Sequence, residues 1–156
     1  LEYGAQPLRR KNLRAGPLFR ALVAQFCENA QEKKCEIALE QSEQSEQAML
    51  CADRALLERL LENLLNNSIR HNPGRVSITV RTEAAGGCFC LTVADDGCGY
   101  PPAVLASMNA PEPCENAPHI LGLHVVEQIA IAHGGKAEFA QNIPQGAKAV
   151  ISLPME

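Results

Sequence analysis

The sequence lacks several features that assign a protein to a broad class. It contains no apolar run of about 18 residues, the length that a membrane-spanning helix requires. Its seven cysteines form no CxxC pair, so no zinc-ligand spacing is present. Its 14 basic and 18 acidic side chains give a net charge of −4, which provides no general attraction to nucleic acid or anionic membranes. These absences argue against a membrane span, a zinc module and a basic nucleic-acid binder.

The composition is typical of one globular domain with a short arm. The 156 residues are 46% apolar and 21% charged, which is ordinary globular usage. An odd number of cysteines in a chain of this size predicts that the thiols are free and that the chain is located in a reducing cytoplasm. Residues 1–16 are polar and basic, with glycine and proline interruptions, and we interpret them as a linker. Residues 17–156 are then the domain.

Helical periodicity recurs along the chain. A first helix is predicted from Pro17, where apolar residues return every fourth position. The strongest pattern is a leucine stripe over 54–72, preceded by Asp53 as the expected N-cap. A third helix is predicted over Gly122–His133, and a short helix is expected near Ala103–Met108.

Alternating apolar and polar residues predict strands. The segment QSEQSEQ (41–47) is expected to be an exposed turn that joins the first strand to a second strand near Ala48–Cys51. Gly86 and Gly87 predict a hairpin. Most strands then pair with neighbours in sequence, which predicts an α+β two-layer sandwich with about three helices on one face of a mixed sheet. The remaining strands are predicted at Cys35–Glu40, Arg75–Thr82, Cys88–Ala94, Lys136–Gln141 and Lys148–Leu153.

A polar row interrupts the leucine-rich helix. Asn63, Asn67 and Arg70 stand at i, i+4 and i+7, so they share one helix face. Carboxamide oxygens suit Mg²⁺ and the guanidinium group suits phosphate. A solvated polar flank explains the row equally well.

Two further segments have ligand-binding character. Asp95 ends a predicted strand, and Gly97 and Gly99 follow it, so the backbone can approach a ligand while the carboxylate accepts a hydrogen bond from an amine. An ordinary Asp-Gly turn is the alternative. Gly122 opens the third helix, and backbone N–H groups at a helix start attract phosphate.

Together these segments resemble three motifs of the sensor histidine kinase ATP-binding domain. The N box is resembled by the segment ENLLNNSIRHNP (62–73), and the first glycine box by the segment DDGCGYP (95–101). The second glycine box, with the helix and strand that follow it, is resembled by the segment LGLHVVEQIAIAHGGKAEF (121–139). The resemblance covers residues 17–154 and implies the Bergerat fold, which is shared with DNA gyrase, MutL and heat-shock chaperone ATPases.

The resemblance implies that the chain binds ATP and Mg²⁺. Asn67 is expected to hold the metal, with Asn63 and Arg70 on the phosphate side, and these three form the implied catalytic group. Asp95 is expected to accept the adenine amino group, while residues 101–119 form a lid. The other implied nucleotide contacts are His71, Gly97, Gly99, His119, Leu121, Gly122 and Leu123.

The same resemblance implies phosphoryl transfer without hydrolysis. ATPase relatives carry a water-activating Glu at the position of Asn63, and Glu62 lies roughly 100° away around the helix. The four histidines match no phosphoacceptor motif. The acceptor His is therefore expected on a separate dimerisation domain. Residues 1–14 resemble the last helix of such a domain and the linker that follows it. A response regulator is expected as an indirect partner. The chain is expected to be a cytoplasmic part of a bacterial membrane-anchored sensor, without membrane or nucleic-acid contacts of its own.

Three features depart from the family pattern. The stretch PHILGL (118–123) replaces two of the usual glycines, Ala147 stands where relatives carry a Thr, and the lid contains no Phe. These changes leave a degenerate interaction module with weak or no nucleotide binding as an alternative. A serine-directed anti-sigma-factor kinase is a third interpretation, but the LEYG arm resembles a histidine kinase junction.

Overall fold

Helices and strands are mixed along the chain. The computed structural model describes residues 8–29, 35–70, 72, 74–108 and 118–155. The helices are α1 (Ala15–Asn29), α2 (Glu43–Gln47), α3 (Arg54–Arg70), α4 (Pro102–Met108) and α5 (Pro118–Ala132). The strands are β1 (Lys11–Arg14), β2 (Cys35–Gln41), β3 (Met49–Ala52), β4 (Val76–Ala85), β5 (Cys88–Asp95), β6 (Lys136–Gln141) and β7 (Ala147–Pro154).

The main sheet has five strands in the order β2-β4-β5-β7-β6. β2 and β4 are parallel, and the other neighbouring pairs are antiparallel. The predicted β4–β5 hairpin is confirmed, and it turns at Gly86 and Gly87, whose φ angles of 58° and 76° favour glycine. The predicted pairing of β6 with β7 is also confirmed.

The core lies between one face of this sheet and the helices. Along β5, Phe89, Leu91 and Val93 are buried, whereas Cys88 and Cys90 on the other face are only half-buried. The Phe89 ring stacks on Phe19 of α1, with centroids 5.6 Å apart. The predicted sandwich is therefore confirmed. The leucine stripe of α3 is also buried, at Leu57, Leu60, Leu61, Leu64 and Leu65.

The predicted exposed turn at 41–47 is wrong, because α2 occupies most of it. Ser42 is the N-cap of α2, and its hydroxyl accepts a hydrogen bond from the Ser45 N–H at 3.1 Å. Ser45 is itself buried, with its hydroxyl 3.0 Å from the Thr82 carbonyl oxygen. The predicted pairing of the two strands on either side of this segment is also wrong, since β2 pairs with β4 and β3 pairs with β1.

The segment interpreted as a linker contributes a strand. β1 lies antiparallel to β3, and α1 begins at Ala15, two residues before Pro17. The Ala15 N–H donates to the Ala48 carbonyl oxygen at 2.8 Å, which fixes the start of the helix against α2. Residues 1–7 lie outside the described residues, and the domain boundary at residue 17 stays a prediction.

The last two helices begin within the expected lid, residues 101–119. The short helix predicted near Ala103–Met108 is confirmed as α4. The prediction that a helix opens at Gly122 is wrong, because α5 begins at Pro118, a residue that suits the first helical turn. Residues 109–117 of the expected lid lie outside the described residues. Across the described residues, no helix is both long enough and apolar enough to cross a membrane.

Candidate functional site

The polar row of α3 lies at the edge of the core. Asn67 is only 8% exposed, Asn63 is half-buried and Arg70 is exposed. No hydrogen bond joins the Asn67 side chain to another described residue. Because a buried carboxamide needs polar partners, Asn67 retains binding capacity for a ligand. His71, the next residue implied by the resemblance, lies outside the described residues.

Asp95 is held at the end of β5 by backbone groups. It is 3% exposed, and its Oδ1 accepts hydrogen bonds from the N–H groups of Gly97 and Ala147, both at 3.0 Å. Among the described residues, none donates a hydrogen bond to Oδ2. The carboxylate is therefore fixed through one oxygen while the other remains an acceptor for a ligand. Ala147 supplies a backbone donor even though it lacks the hydroxyl group of Thr.

The loop between β6 and β7 packs directly on this aspartate. The Asn142 side chain donates to the Asp95 carbonyl oxygen at 2.9 Å, and Gln145 donates to the Asp96 carbonyl oxygen at 2.7 Å. Gly146 has a φ of 111°, and a Cβ atom there would lie 1.8 Å from the Asp95 carbonyl oxygen. Only glycine permits this approach.

The C-terminal end of α3 meets the first glycine box. Asn72 accepts a hydrogen bond from the Cys98 N–H at 2.9 Å and donates to the Ser68 carbonyl oxygen at 2.6 Å. A Cβ atom on Gly97 would lie 2.0 Å from Asn72 Oδ1. Two of the sequence motifs, separate in the chain, are thus brought together by one side chain.

The third motif approaches through α5, which packs against α3. His133 Nε2 accepts a hydrogen bond from the Asp53 N–H at 3.0 Å, and Nδ1 bonds the Ile129 carbonyl oxygen at 2.8 Å. These bonds join the end of α5 to the start of α3, so the two helices run in opposite directions. The third motif is therefore carried by a helix that packs against α3.

The details of the second glycine box differ from the sequence prediction. Gly122 is the fifth residue of α5, so it lies beyond the free N–H groups of the helix start, to which Pro118 contributes none. A Cβ atom on Gly122 would meet nothing within 4 Å. Leu123 is buried in the core. His119 and Leu121 lie in the first turn of the helix, and their side chains are outside the described structure.

Tyr100 is a perturbed titratable group among the described residues of the site. Burial, and secondarily the nearby Asp95 carboxylate, raises the pKa of Tyr100 above its ordinary value. Tyr100 is therefore neutral at physiological pH.

Positioning side chains that were not predicted from the sequence include Asn72, Gln141 and Asn142. Each bonds the backbone of a distant segment, and the amide side chains of all three follow or end regular elements. A carboxamide at such a position is not part of a periodic sequence pattern, so the sequence does not distinguish it from a solvated loop residue. The sequence signal available, an Asn at the helix stop before Pro73, indicated only a boundary.

Comparison with known proteins agrees with this geometry. Residues 52–156 match the family described as Histidine kinase-, DNA gyrase B-, and HSP90-like ATPase. Histidine protein kinase DivJ of Caulobacter vibrioides is 29% identical over 110 residues, which cover 67% of this chain and 18% of DivJ. Sensor protein QseC of Salmonella typhimurium is 33% identical over 101 residues, which cover 62% of this chain and 22% of QseC.

The fold is also shared with a solved catalytic domain. The catalytic domain of histidine kinase ThkA superimposes with a TM-score of 0.79 at 21% identity, covering 95% of this chain and 97% of that domain. The chain spans less than a quarter of the length of DivJ and QseC. Since the family match covers more than half of the chain and all three motifs, and the relatives that it resembles are sensor histidine kinases, the chain belongs to the histidine kinase-, DNA gyrase B- and HSP90-like ATPase family.

Proposed function

We propose that this chain binds ATP and presents the γ-phosphate to a histidine on a separate dimerisation and phosphoacceptor domain of the same protein. A response regulator is then an indirect partner. The observation that carries the proposal is the state of Asp95. This buried carboxylate is fixed by two backbone donors on Oδ1, and none of the described residues bonds Oδ2.

Asp95 is suited to recognise adenine. A fixed carboxylate oxygen accepts a hydrogen bond from the exocyclic amine of adenine, whereas guanine presents a carbonyl oxygen there and is repelled. Gly97 and Gly99 carry no side chain, so the backbone of their loop can approach the base closely. The proposal therefore specifies an adenine nucleotide.

The polar row of α3 is suited to the phosphates. Asn67 fits a Mg²⁺ ion, since it is a buried carboxamide without a partner among the described residues and its oxygen is a hard ligand. Bound Mg²⁺ supplies positive charge that offsets the phosphate oxygens. Asn63 donates a hydrogen bond on the phosphate side, and the exposed guanidinium of Arg70 matches phosphate geometry.

The chain's own groups favour an acceptor located elsewhere. Asn63 cannot remove a proton from water, and Glu62 is exposed on a different part of the helix surface. His133 is buried and bonded through both ring nitrogens. His124 has a buried Nε2 and places its Nδ1 3.6 Å from Glu127. Neither described histidine is presented for phosphorylation. The six described cysteines are free thiols, which fits the cytoplasmic location that we propose.

Calorimetric titration with ATP and Mg²⁺ tests the proposal. The Asp95→Asn variant keeps an oxygen for the Gly97 and Ala147 donors but places an NH₂ group opposite the adenine amine. We expect ATP affinity to fall about 30-fold or more, because a hydrogen bond to a charged group is replaced by two opposed donors.

Asp96→Asn is the matched control. Its Oδ1 accepts the Ser77 N–H at 2.9 Å, a bond that Asn can also make, so ATP affinity should be unchanged. Equal affinity in the Asp95→Asn variant and the unmodified chain would refute the assignment of Asp95. Absence of ATP binding to the unmodified chain at millimolar concentrations would refute the proposed function and favour the degenerate interaction module.

A further inference from the structure

The residue that ends the first glycine box is held by a side chain from the edge strand β6. Gln141 Oε1 accepts a hydrogen bond from the Tyr100 N–H at 2.9 Å, and Gln141 Nε2 donates to the Tyr100 carbonyl oxygen at 2.7 Å. Tyr100 lies outside the strands, so one carboxamide replaces both bonds that a neighbouring strand would provide. The peptide planes on both sides of Tyr100 are thereby oriented.

The ring of Tyr100 is anchored by the same strand. Tyr100 is 5% exposed and lies edge-on to Phe139, with ring centroids 6.3 Å apart. Phe139 and Gln141 stand two positions apart in β6, so their side chains leave the same face. The ring and the backbone of Tyr100 are therefore held by two side chains of one strand.

Gly99 leaves the space that the Gln141 side chain occupies. A Cβ atom on Gly99 would lie 2.3 Å from Gln141 Oε1, and the φ of Gly99 is 82°. A residue with a side chain at position 99 would displace the carboxamide. The glycine therefore serves the contact with Gln141 as well as the backbone conformation.

Both ends of the glycine-box loop are fixed to one rung of the sheet. Gln141 pairs with Ala147 across β6 and β7. Ala147 donates to Asp95 at the start of the loop, and Gln141 bonds Tyr100 at its end. The distance between the acceptor carboxylate and the rest of the loop is thus set by this rung.

We infer that Gln141 is a positioning residue that fixes the base-binding loop relative to Asp95 and so sets the preference for adenine over hypoxanthine. The inference rests on the proposed function. Gln141 acts through Tyr100 and Gly99, and it needs no contact with the nucleotide. Loss of its two bonds lets the loop shift with respect to Asp95, which weakens recognition of the adenine amine but leaves the phosphate side intact.

Nucleotide selectivity measured by calorimetry tests this inference. ITP carries a carbonyl oxygen in place of the adenine amine, so the ratio of ATP to ITP affinity reports on Asp95. For Gln141→Ala we expect about tenfold weaker ATP binding and a clearly lower ATP to ITP ratio, with the ATP to ADP ratio unchanged. Gln141→Glu keeps the acceptor for the Tyr100 N–H and loses the donor, so intermediate values are expected.

Gln41→Ala is the matched control on the opposite edge strand, β2. Gln41 donates a hydrogen bond to the Gly16 carbonyl oxygen and accepts one from the Thr82 hydroxyl, both at 3.1 Å, so their loss should lower stability without changing any nucleotide ratio. A general loss of folding lowers the fraction that binds every nucleotide and leaves the ratios constant.

The outcomes separate the two hypotheses. If the unmodified chain does not bind ATP, the proposed function fails. If it binds ATP in preference to ITP and both Gln141 variants keep that preference, the role assigned to Gln141 is overturned while the proposed function stands.

Discussion

Asn72 and Cys98 are separated by 26 positions in the chain, yet the Asn72 Oδ1 atom accepts the Cys98 N–H at 2.9 Å. We expect Asn72→Ala to lower the free energy of unfolding by about 1–3 kcal/mol, because the bonds to the Ser68 carbonyl oxygen and to the N–H and thiol of Cys98 are lost at a half-buried position. ATP affinity should fall with it, since the Gly97 loop loses its support. Urea unfolding and ATP titration measure the two effects.

The Asn72→Asp variant separates the bonds of this side chain. The carboxylate keeps the acceptor for the Cys98 N–H and loses the donor to the Ser68 carbonyl oxygen. It should therefore retain more ATP affinity than Asn72→Ala. Equal ATP affinity in the two variants would show that the Cys98 bond does not support the loop.

His133 joins α5 to the start of α3 through both ring nitrogens. Its replacement by Ala leaves the Asp53 N–H without its acceptor and opens a cavity at a residue that is 4% exposed. We expect a loss of about 2–4 kcal/mol in the free energy of unfolding, measured with urea. His133→Gln extends an oxygen towards the Asp53 N–H and should recover part of this loss. If the Ala variant were as stable as the unmodified chain, the link between the helices would carry no stability.

The sequence predicted the elements whose burial repeats along the chain. The leucines of α3 and the alternating residues of β5 are buried as predicted, because one face of each element packs on the core. The segment at 41–47 was misjudged because its polar residues are typical of a turn. Its helix depends on the Ser42 cap and on the buried Ser45, whose partner Thr82 lies in another strand.

Part of the candidate site was also predictable from the sequence. Asp95 and Asn67 stand in patterns whose chemistry is local, an acid before glycines and a carboxamide beside a leucine stripe. Gln141 and Asn72 were missed because their importance arises from the backbone of Tyr100 and Cys98, which only the folded chain brings near. The parallel pairing of β2 with β4 was missed for the same reason, since nothing in either strand specifies a distant partner.

Gly146 and Gly122 should respond to alanine in opposite directions. At Gly146, with a φ of 111°, a Cβ atom would lie 1.8 Å from the Asp95 carbonyl oxygen, so Gly146→Ala should cost about 3 kcal/mol or more. At Gly122, inside α5, the new methyl group would meet nothing within 4 Å, so Gly122→Ala should stabilise by roughly 0.5–1 kcal/mol. Urea unfolding of both variants checks the pair. A stable Gly146→Ala variant would contradict the close packing of this loop on Asp95.

Tyr100 should make the fold sensitive to alkali. Burial, and secondarily the Asp95 carboxylate, raises the pKa of its phenol above the ordinary value of about 10. Above that pH the unfolded chain loses the proton while the folded chain keeps it. The folded state then binds more protons, so the free energy of unfolding falls as pH rises, by up to about 1.4 kcal/mol per pH unit.

Tyr100→Phe removes this titration and leaves the ring that packs on Phe139. Urea unfolding from roughly pH 9 to pH 11 should therefore show a steeper loss of stability for the unmodified chain than for the variant. The comparison is between slopes, so any constant difference at neutral pH cancels, as does the titration of cysteines and lysines common to both chains. Parallel slopes would mean that the phenol ionises as readily in the folded state as in the unfolded one, and that the environment beside Asp95 does not keep Tyr100 neutral.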